Sequence, residues 1–156
     1  MVLVDSSVWI EGFRRDGELA VKVALDALLD AYEAMWCGPI KLEVLGGARR
    51  EERGKLEFFF DCIPYRAMTD AAWDDAKKLA WHMRDRGHTI PWNDIVIASL
   101  AHSWNVRVYA KDQHYEILGR EAGVLLYRPG YGGSYAPEEY EKIAGRPSSQ
   151  ALNRSL

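Results

Sequence analysis

Apolar residues recur along this chain in two ways, as short solid runs and as stripes at helical spacing, and the two alternate. Val2–Val4 is a solid run and predicts a buried first strand. Ser6 and Ser7 can cap a helix beginning near Val8. Over residues 18–32 the apolar positions are Val21, Ala24, Leu25, Leu28 and Leu29, with Lys22, Asp26 and Asp30 off that stripe, which predicts an amphipathic helix. Ala34–Cys37 reads as a second strand. Gly38 and Pro39 then open a helix with proline at its first position. A helix over 51–60 and a short strand over 62–63 follow. Residues 70–86 form a helix with Ala72, Ala76, Leu79, Ala80 and Met83 inward and Asp74, Asp75, Lys77 and Lys78 outward. Gly87 suits its C-terminal cap. The helix over 93–103 has an unusually apolar first half, which predicts a central position. A strand over 106–110, a helix over 112–121 and a strand over 124–127 complete the series.

Strand alternating with helix implies an α/β domain, a parallel sheet flanked by helices. Such a sheet brings all its strand C-termini to one edge. The 156 residues fit one domain with a sizeable core, without an internal repeat. The periodic part spans residues 1–127. Residues 128–156 are richer in Gly, Pro, Ser and Tyr and read as an extension with a short capped helix over 137–145 and a mobile tail over 146–156.

Composition changes this picture little. The chain is 48% apolar with a net charge of -3, so global charge does not by itself favour nucleic acid, and local features or a bound cation would have to supply that attraction. Two cysteines, Cys37 and Cys62, lack metal-ligand spacing and read as buried thiols in a reducing compartment. The N-terminus has no basic, then apolar, leader, and no stretch approaches a membrane span, so a cytoplasmic location is expected.

The chemistry lies in four carboxylates. Asp5, Glu43, Asp94 and Asp112 each fall at a strand-to-helix junction or in an early helical turn. Any one Asp alone reads as a helix cap. Delivered together to one sheet edge, they would repel one another unless a cation sat among them. Magnesium or manganese suits carboxylate and water oxygens. Glu43 interrupts an apolar stretch, and Gly46 and Gly47 on its own face either clear space beside the carboxylate or end the helix. Phosphate-binding glycine loops, a nucleophile elbow and zinc-spaced histidines do not occur. His114, two residues after Asp112, is the one histidine near the acids; His82, His88 and His102 read as surface or helix residues. Trp9, Trp73 and Trp81 fall on apolar helix faces and are expected in the core. Trp92 either packs or stacks on an unpaired base. Arg49, beside the Glu43 helix, is either a phosphate contact or a solvated charge.

The residues 1–10, MVLVDSSVWI, resemble the opening of PIN-domain proteins, specifically the VapC-type toxins of toxin–antitoxin pairs. LEVLGGAR at 42–49, PWNDIVIA at 91–98 and KDQHY at 111–115 resemble their second, third and fourth acidic motifs, in the same order. The resemblance implies a PIN fold with an acidic pocket at the strand C-termini. It implies a magnesium- or manganese-dependent ribonuclease that cleaves RNA through a metal-activated water. Asp5 and Asp94 match the positions that hold the metal most directly, Glu43 and Asp112 the remaining acidic positions, and Ser7 a hydroxyl often found at the site. Ser7, Arg49 and His114 are the expected substrate contacts. An antitoxin that places a basic side chain near Asp5 and Asp94 and a helix in a groove walled by residues 12–32 and 43–60 is the expected partner, and a homodimer the expected assembly. The rival readings are a PIN nuclease of RNA processing without a toxin role and a catalytically silent PIN-like binding module. A receiver-like signalling domain is disfavoured because Asp61 precedes the 62–63 strand rather than ending it.

Overall fold

The computed structural model describes residues 1–130 and 134–135. Four strands, β1 (Val2–Val4), β2 (Ala34–Cys37), β3 (Tyr65–Arg66) and β4 (Arg107–Tyr109), form one sheet in the order β3-β2-β1-β4. Every pairing is parallel, with Leu3 opposite Met35 on one side and Val108 on the other. The solid apolar runs become strands because parallel strands are covered on both faces, and Val2, Leu3 and Val4 are wholly buried.

Seven helices connect the strands among the described residues: α1 (Ser6–Phe13), α2 (Leu19–Asp30), α3 (Gly38–Gly46), α4 (Arg53–Asp61), α5 (Asp70–Asp85), α6 (Trp92–Trp104) and α7 (His114–Ala122). The chain leaves β1 toward β2 and β3, then returns across to β4 on the opposite side of β1. The direction of winding therefore reverses between β1 and β4, and the crevice outside such a reversal is where open α/β sheets bind ligands. Asp5 follows β1 and Asp112 follows β4, so both flank this crevice, and the Asp5 amide donates to the Tyr109 carbonyl at 2.9 Å.

The expected stripes are seated in the core. On α2, Val21, Ala24, Leu25 and Leu28 are buried, and on α5 Ala72, Ala76, Ala80 and Met83. In α6, all residues from Ile95 to Ala101 are buried, including Ser99, as befits a helix enclosed on every side. Trp9 is fully buried, donates from its indole nitrogen to the Val4 carbonyl at 2.9 Å, and anchors an aromatic cluster with Phe13, Phe59 and Phe60.

Several expectations are corrected. Helix α1 starts at Ser6 and its cap is Asp5, whose carboxylate accepts from the Ser7 amide; Ser6 and Ser7 lie inside the helix. The third strand is Tyr65–Arg66 rather than residues 62–63, because Cys62 caps α4 and only past Pro64 does the chain run beside Trp36 and Cys37. Residues 124–127 form a single parallel bridge, Leu126 to Val108, in place of a full strand. Helix α7 begins at His114, two residues past Asp112. Cys62 is exposed, at the end of α4, and only Cys37 is buried. Trp73 and Trp81 are 58% and 59% exposed: the inward stripe of α5 is built from alanines, and both rings stand beside it in solvent. Gly46 and Gly47 end α3; a Cβ on Gly46 would meet only Leu42 and one on Gly47 the Glu43 backbone carbonyl at 2.8 Å, so the pair relieves the helix end rather than clearing space beside the Glu43 carboxylate.

Past the domain, Pro129–Gly130 (β5) pairs antiparallel with Ser134–Tyr135 (β6). The expected helix over 137–145 and tail over 146–156 lie outside the described residues.

Candidate active site

Asp5 is the innermost acid. It is 4% exposed, because the chain turns from β1 into α1 at this residue beneath the β4 end. Three donors hold its carboxylate. One oxygen accepts from the Ser7 amide at 2.9 Å and the Ser7 hydroxyl at 2.6 Å; the other accepts from the Tyr115 hydroxyl at 2.9 Å. Burial raises the Asp5 pKa, these hydrogen bonds oppose the rise, and Glu43 adds to it. The Ser7 oxygen also accepts the Lys111 amide at 3.1 Å, which ties the β4 exit to α1.

Glu43 points from α3 toward the starts of two other helices. One oxygen accepts from the Ser6 hydroxyl at 2.5 Å and the other from the Asn93 amide at 2.6 Å. The carboxylate thereby links α1, α3 and α6 around the crevice, which accounts for a carboxylate between Leu42 and Val44.

Asp94 lies in the first turn of α6, part-buried, and its pKa is raised to about 6. Desolvation is the largest cause, the charges of Asp5 and Asp112 add to it, and His114 draws it back. His114 stands between two acids. Its Nδ1 lies 3.0 Å from Asp94 Oδ2 and 2.8 Å from Asp112 Oδ1, and its backbone amide donates to Asp112 at 2.9 Å. One ligand atom from each of Asp94, Asp112 and His114 falls within 4.8 Å of the others. The negative field reaches into the core, where burial first, then Asp5 and Glu43, push the Cys37 thiol up to about 12.

The four acids therefore converge as one electrostatic group: Glu43 acts on Asp5, and Asp5 and Asp112 act on Asp94. Asp5 and Asp94, whose ionisation is opposed by burial and by neighbouring carboxylates, fit a hard divalent cation, which inverts the local balance of charge. Of the expected substrate contacts, Ser7 is turned inward onto Asp5 and His114 onto the acids. Arg49 lies elsewhere, on the exposed turn after α3, where it lines a groove of about 650 Å³ with Ile10, Phe13, Arg14, Val44 and Leu56. Tyr115, Ser6 and Asn93 were not singled out from the sequence as site residues. A polar residue next to each acidic motif was the available signal, but pairing Ser6 with Glu43 requires the fold.

Together, a parallel sheet that reverses direction at β1/β4 and a carboxylate group at that reversal define an acidic-pocket α/β protein. The PIN domain profile matches residues 2–120, and the chain belongs to the PIN-domain family. A VapC ribonuclease of Mycobacterium bovis and ribonuclease VapC11 of Mycobacterium tuberculosis are each 31% identical over 125 residues, covering 77% of this chain and 92% of the relative. Among solved structures, FitAcB from Neisseria gonorrhoeae superposes with a TM-score of 0.68 at 16% identity, covering 82% of this chain and 97% of that one. VapBC2 from Rickettsia felis, bound to a DNA fragment from its promoter, superposes at 0.66 with 15% identity, covering 81% and 97%. At that identity these structures establish the fold.

Proposed function

We propose that this protein is a divalent-metal-dependent ribonuclease and the toxin of a toxin–antitoxin pair. The observation that carries the reading is the convergence of Asp5, Glu43, Asp94 and Asp112 at the sheet reversal of a PIN fold, with Asp94 held up at about 6 by burial and by its neighbours' charge. Asp5, Glu43, Asp94 and Asp112 would hold magnesium or manganese and its waters. When bound, such an ion lowers the pKa of a water and neutralises charge on phosphoryl oxygens. Ser7 and Tyr115 fix the direction of the Asp5 carboxylate, and Ser6 and Asn93 that of Glu43. This holds the acids in place before RNA arrives. Arg49 is a candidate phosphate contact at the margin, remote from the reacting bond. The intact set of four acids favours this reading over a silent binding module.

The VapC relatives are ribonucleases by name, and the structural neighbours include toxin–antitoxin complexes. By that likeness an antitoxin is the partner we propose. Its helix would lie in the groove between α1 and the α3–α4 turn, where Ile10 and Phe13 are 42% and 43% exposed. A basic side chain of that partner, placed near Asp94, would compete with the cation. A homodimer is proposed as well, through the face on which Trp73, Trp81 and Trp92 line a cavity of about 470 Å³; exposed apolar patches of this kind mark interfaces. The cytoplasm is the proposed location. No helix among the described residues is long and apolar enough to cross a membrane, and neither cysteine is in a disulfide.

The test incubates the purified protein with RNA, with and without a chelator. Cleavage that needs the cation and disappears in Asp5→Asn is expected. Cation-independent cleavage, or none at any cation concentration, would sink the nuclease reading. Co-purification with the product of an adjacent small gene tests the toxin role separately.

A further inference from the structure

The one histidine of the acidic site turns its ring toward the acids. His114 turns Nδ1 inward, 3.0 Å from Asp94 Oδ2 and 2.8 Å from Asp112 Oδ1, where loss of its proton to an arriving cation would present a lone pair. The ring is 27% exposed, so it is set into the site wall rather than held out to solvent.

Those two separations have a meaning beyond hydrogen bonding. In an octahedral site with metal–ligand bonds of about 2.1 Å, neighbouring ligands sit roughly 3.0 Å apart. The imidazole nitrogen already stands at that spacing from each carboxylate oxygen, and all three atoms fall within 4.8 Å of one another. The backbone supports the arrangement independently of the ring. The His114 amide donates to Asp112 Oδ1 at 2.9 Å, so the carboxylate and the imidazole are oriented by the same first turn of α7. Asp94 is delivered from α6 with Ile95 to Ala101 packed behind it, which leaves the acid little freedom to retreat.

Building on the metal-nuclease reading above, we propose that His114 is itself a metal ligand and that its nitrogen tunes the site toward manganese and other borderline divalent ions over magnesium. The chemistry is that of ligand type. Magnesium takes carboxylate, carbonyl and water oxygens, whereas imidazole suits transition metals, whose affinity for nitrogen sites rises along the first row from manganese. A site built from Asp5, Asp94 and Asp112 alone would discriminate weakly between magnesium and manganese. Adding the His114 nitrogen in place of a water favours manganese. In such a site His114 is a specificity residue for the cation, and its direct contact with RNA is not required.

The test uses the full-length protein and reads metal binding rather than cleavage. Calorimetric titration compares manganese with magnesium, and pulsed electron paramagnetic resonance of the manganese-loaded protein reports whether an imidazole nitrogen touches the ion. In wild type, manganese is expected to bind more tightly than magnesium and to show imidazole-nitrogen modulation. His114→Phe keeps the backbone amide that holds Asp112 but removes the nitrogen. It is expected to lose the modulation and to weaken manganese by about tenfold or more, the scale set by lost support at metal sites, with magnesium nearly unchanged. Thermal unfolding confirms that the variant is folded; His114→Asn, smaller and polar, replaces it where Phe does not fold. Manganese bound without nitrogen modulation, and equally by wild type and the variant, overturns the role of His114 and leaves the acidic site standing. The absence of any manganese or magnesium binding that Asp94→Asn removes overturns the site as well.

Discussion

Asp94 is pulled in opposite directions by its surroundings. Burial and the charges of Asp5 and Asp112 push its pKa up to about 6, and His114 alone among its named neighbours lowers it. A carboxylate in that position weakens the folded state whenever it is ionised without a cation. Asp94→Asn keeps the shape and removes the charge. The variant is expected to lose metal-dependent RNA cleavage and yet to be more stable than wild type in the absence of metal at pH 7, by up to about 3 kcal/mol on the conversion of its pKa shift. Chemical denaturation in chelator checks this; a destabilised apo variant would contradict the electrostatic account. Tyr115 gives a second prediction. Its hydroxyl is buried and donates to Asp5. Tyr115→Phe should cost about 1–3 kcal/mol, because a buried carboxylate oxygen loses its partner. The two residues differ in how visible they are in the sequence. Asp94 stands at a junction within a recognisable run, whereas Tyr115 looks like any apolar helix position until the fold brings it to Asp5, 110 positions away.

At the level of elements, α6 does most to position the chemistry. Its residues Ile95 to Ala101 are buried on all sides, and its first turn carries Asn93 and Asp94. Ile97→Ala, at a fully buried position, is expected to cost about 2–5 kcal/mol, the range for truncating a large core side chain. If urea midpoints showed no loss, α6 would not be a rigid support for the site. Legibility in the sequence follows the strength of the periodic signal. Long stripes such as Ala72, Ala76, Ala80 and Met83 on α5 are seated as their spacing dictates. The short edge elements are not so readable. Two residues suffice for β3, and whether pairing occurs at Ile63 or at Tyr65 depends on where α4 ends and on Pro64, neither of which is a periodic property. Trp73 and Trp81 mislead for a related reason. Large apolar rings imply core, but the small alanine side chains of α5 make the inward face, and the rings remain outside.

Across the whole molecule, stability without metal should depend on pH through the site. Asp94 is protonated in both folded and unfolded states well below pH 4, so its relative stabilisation is fully present there. That contribution is lost as pH rises from about 4, the unfolded value, through about 6, the folded one. Asp5 is raised in the same direction, chiefly by burial. Glu11, Asp74, Glu116 and Glu121 are lowered by exposed partners and slope the opposite way. The difference between wild type and Asp94→Asn isolates the site from them. It should be near zero well below pH 4 and reach its plateau well above pH 6, and a difference independent of pH would contradict it. Added manganese should raise the wild-type melting temperature at neutral pH by binding the native state, and should not raise that of Asp94→Asn.

The proposal that the parallel sheet, its reversal at β1/β4 and the four acids gathered there support is that RNA is cut at this site with a divalent cation. The most direct measurement is the single-turnover rate of RNA cleavage across a manganese titration, with wild type and folded Asp94→Asn side by side. The account predicts cleavage in wild type that rises to saturation with the cation, and a variant that is folded but slower by about a hundredfold or more, on the scale of losing one electrostatic group from a catalytic site. Equal rates in the two proteins, or a wild-type rate unaffected by chelator, would contradict it.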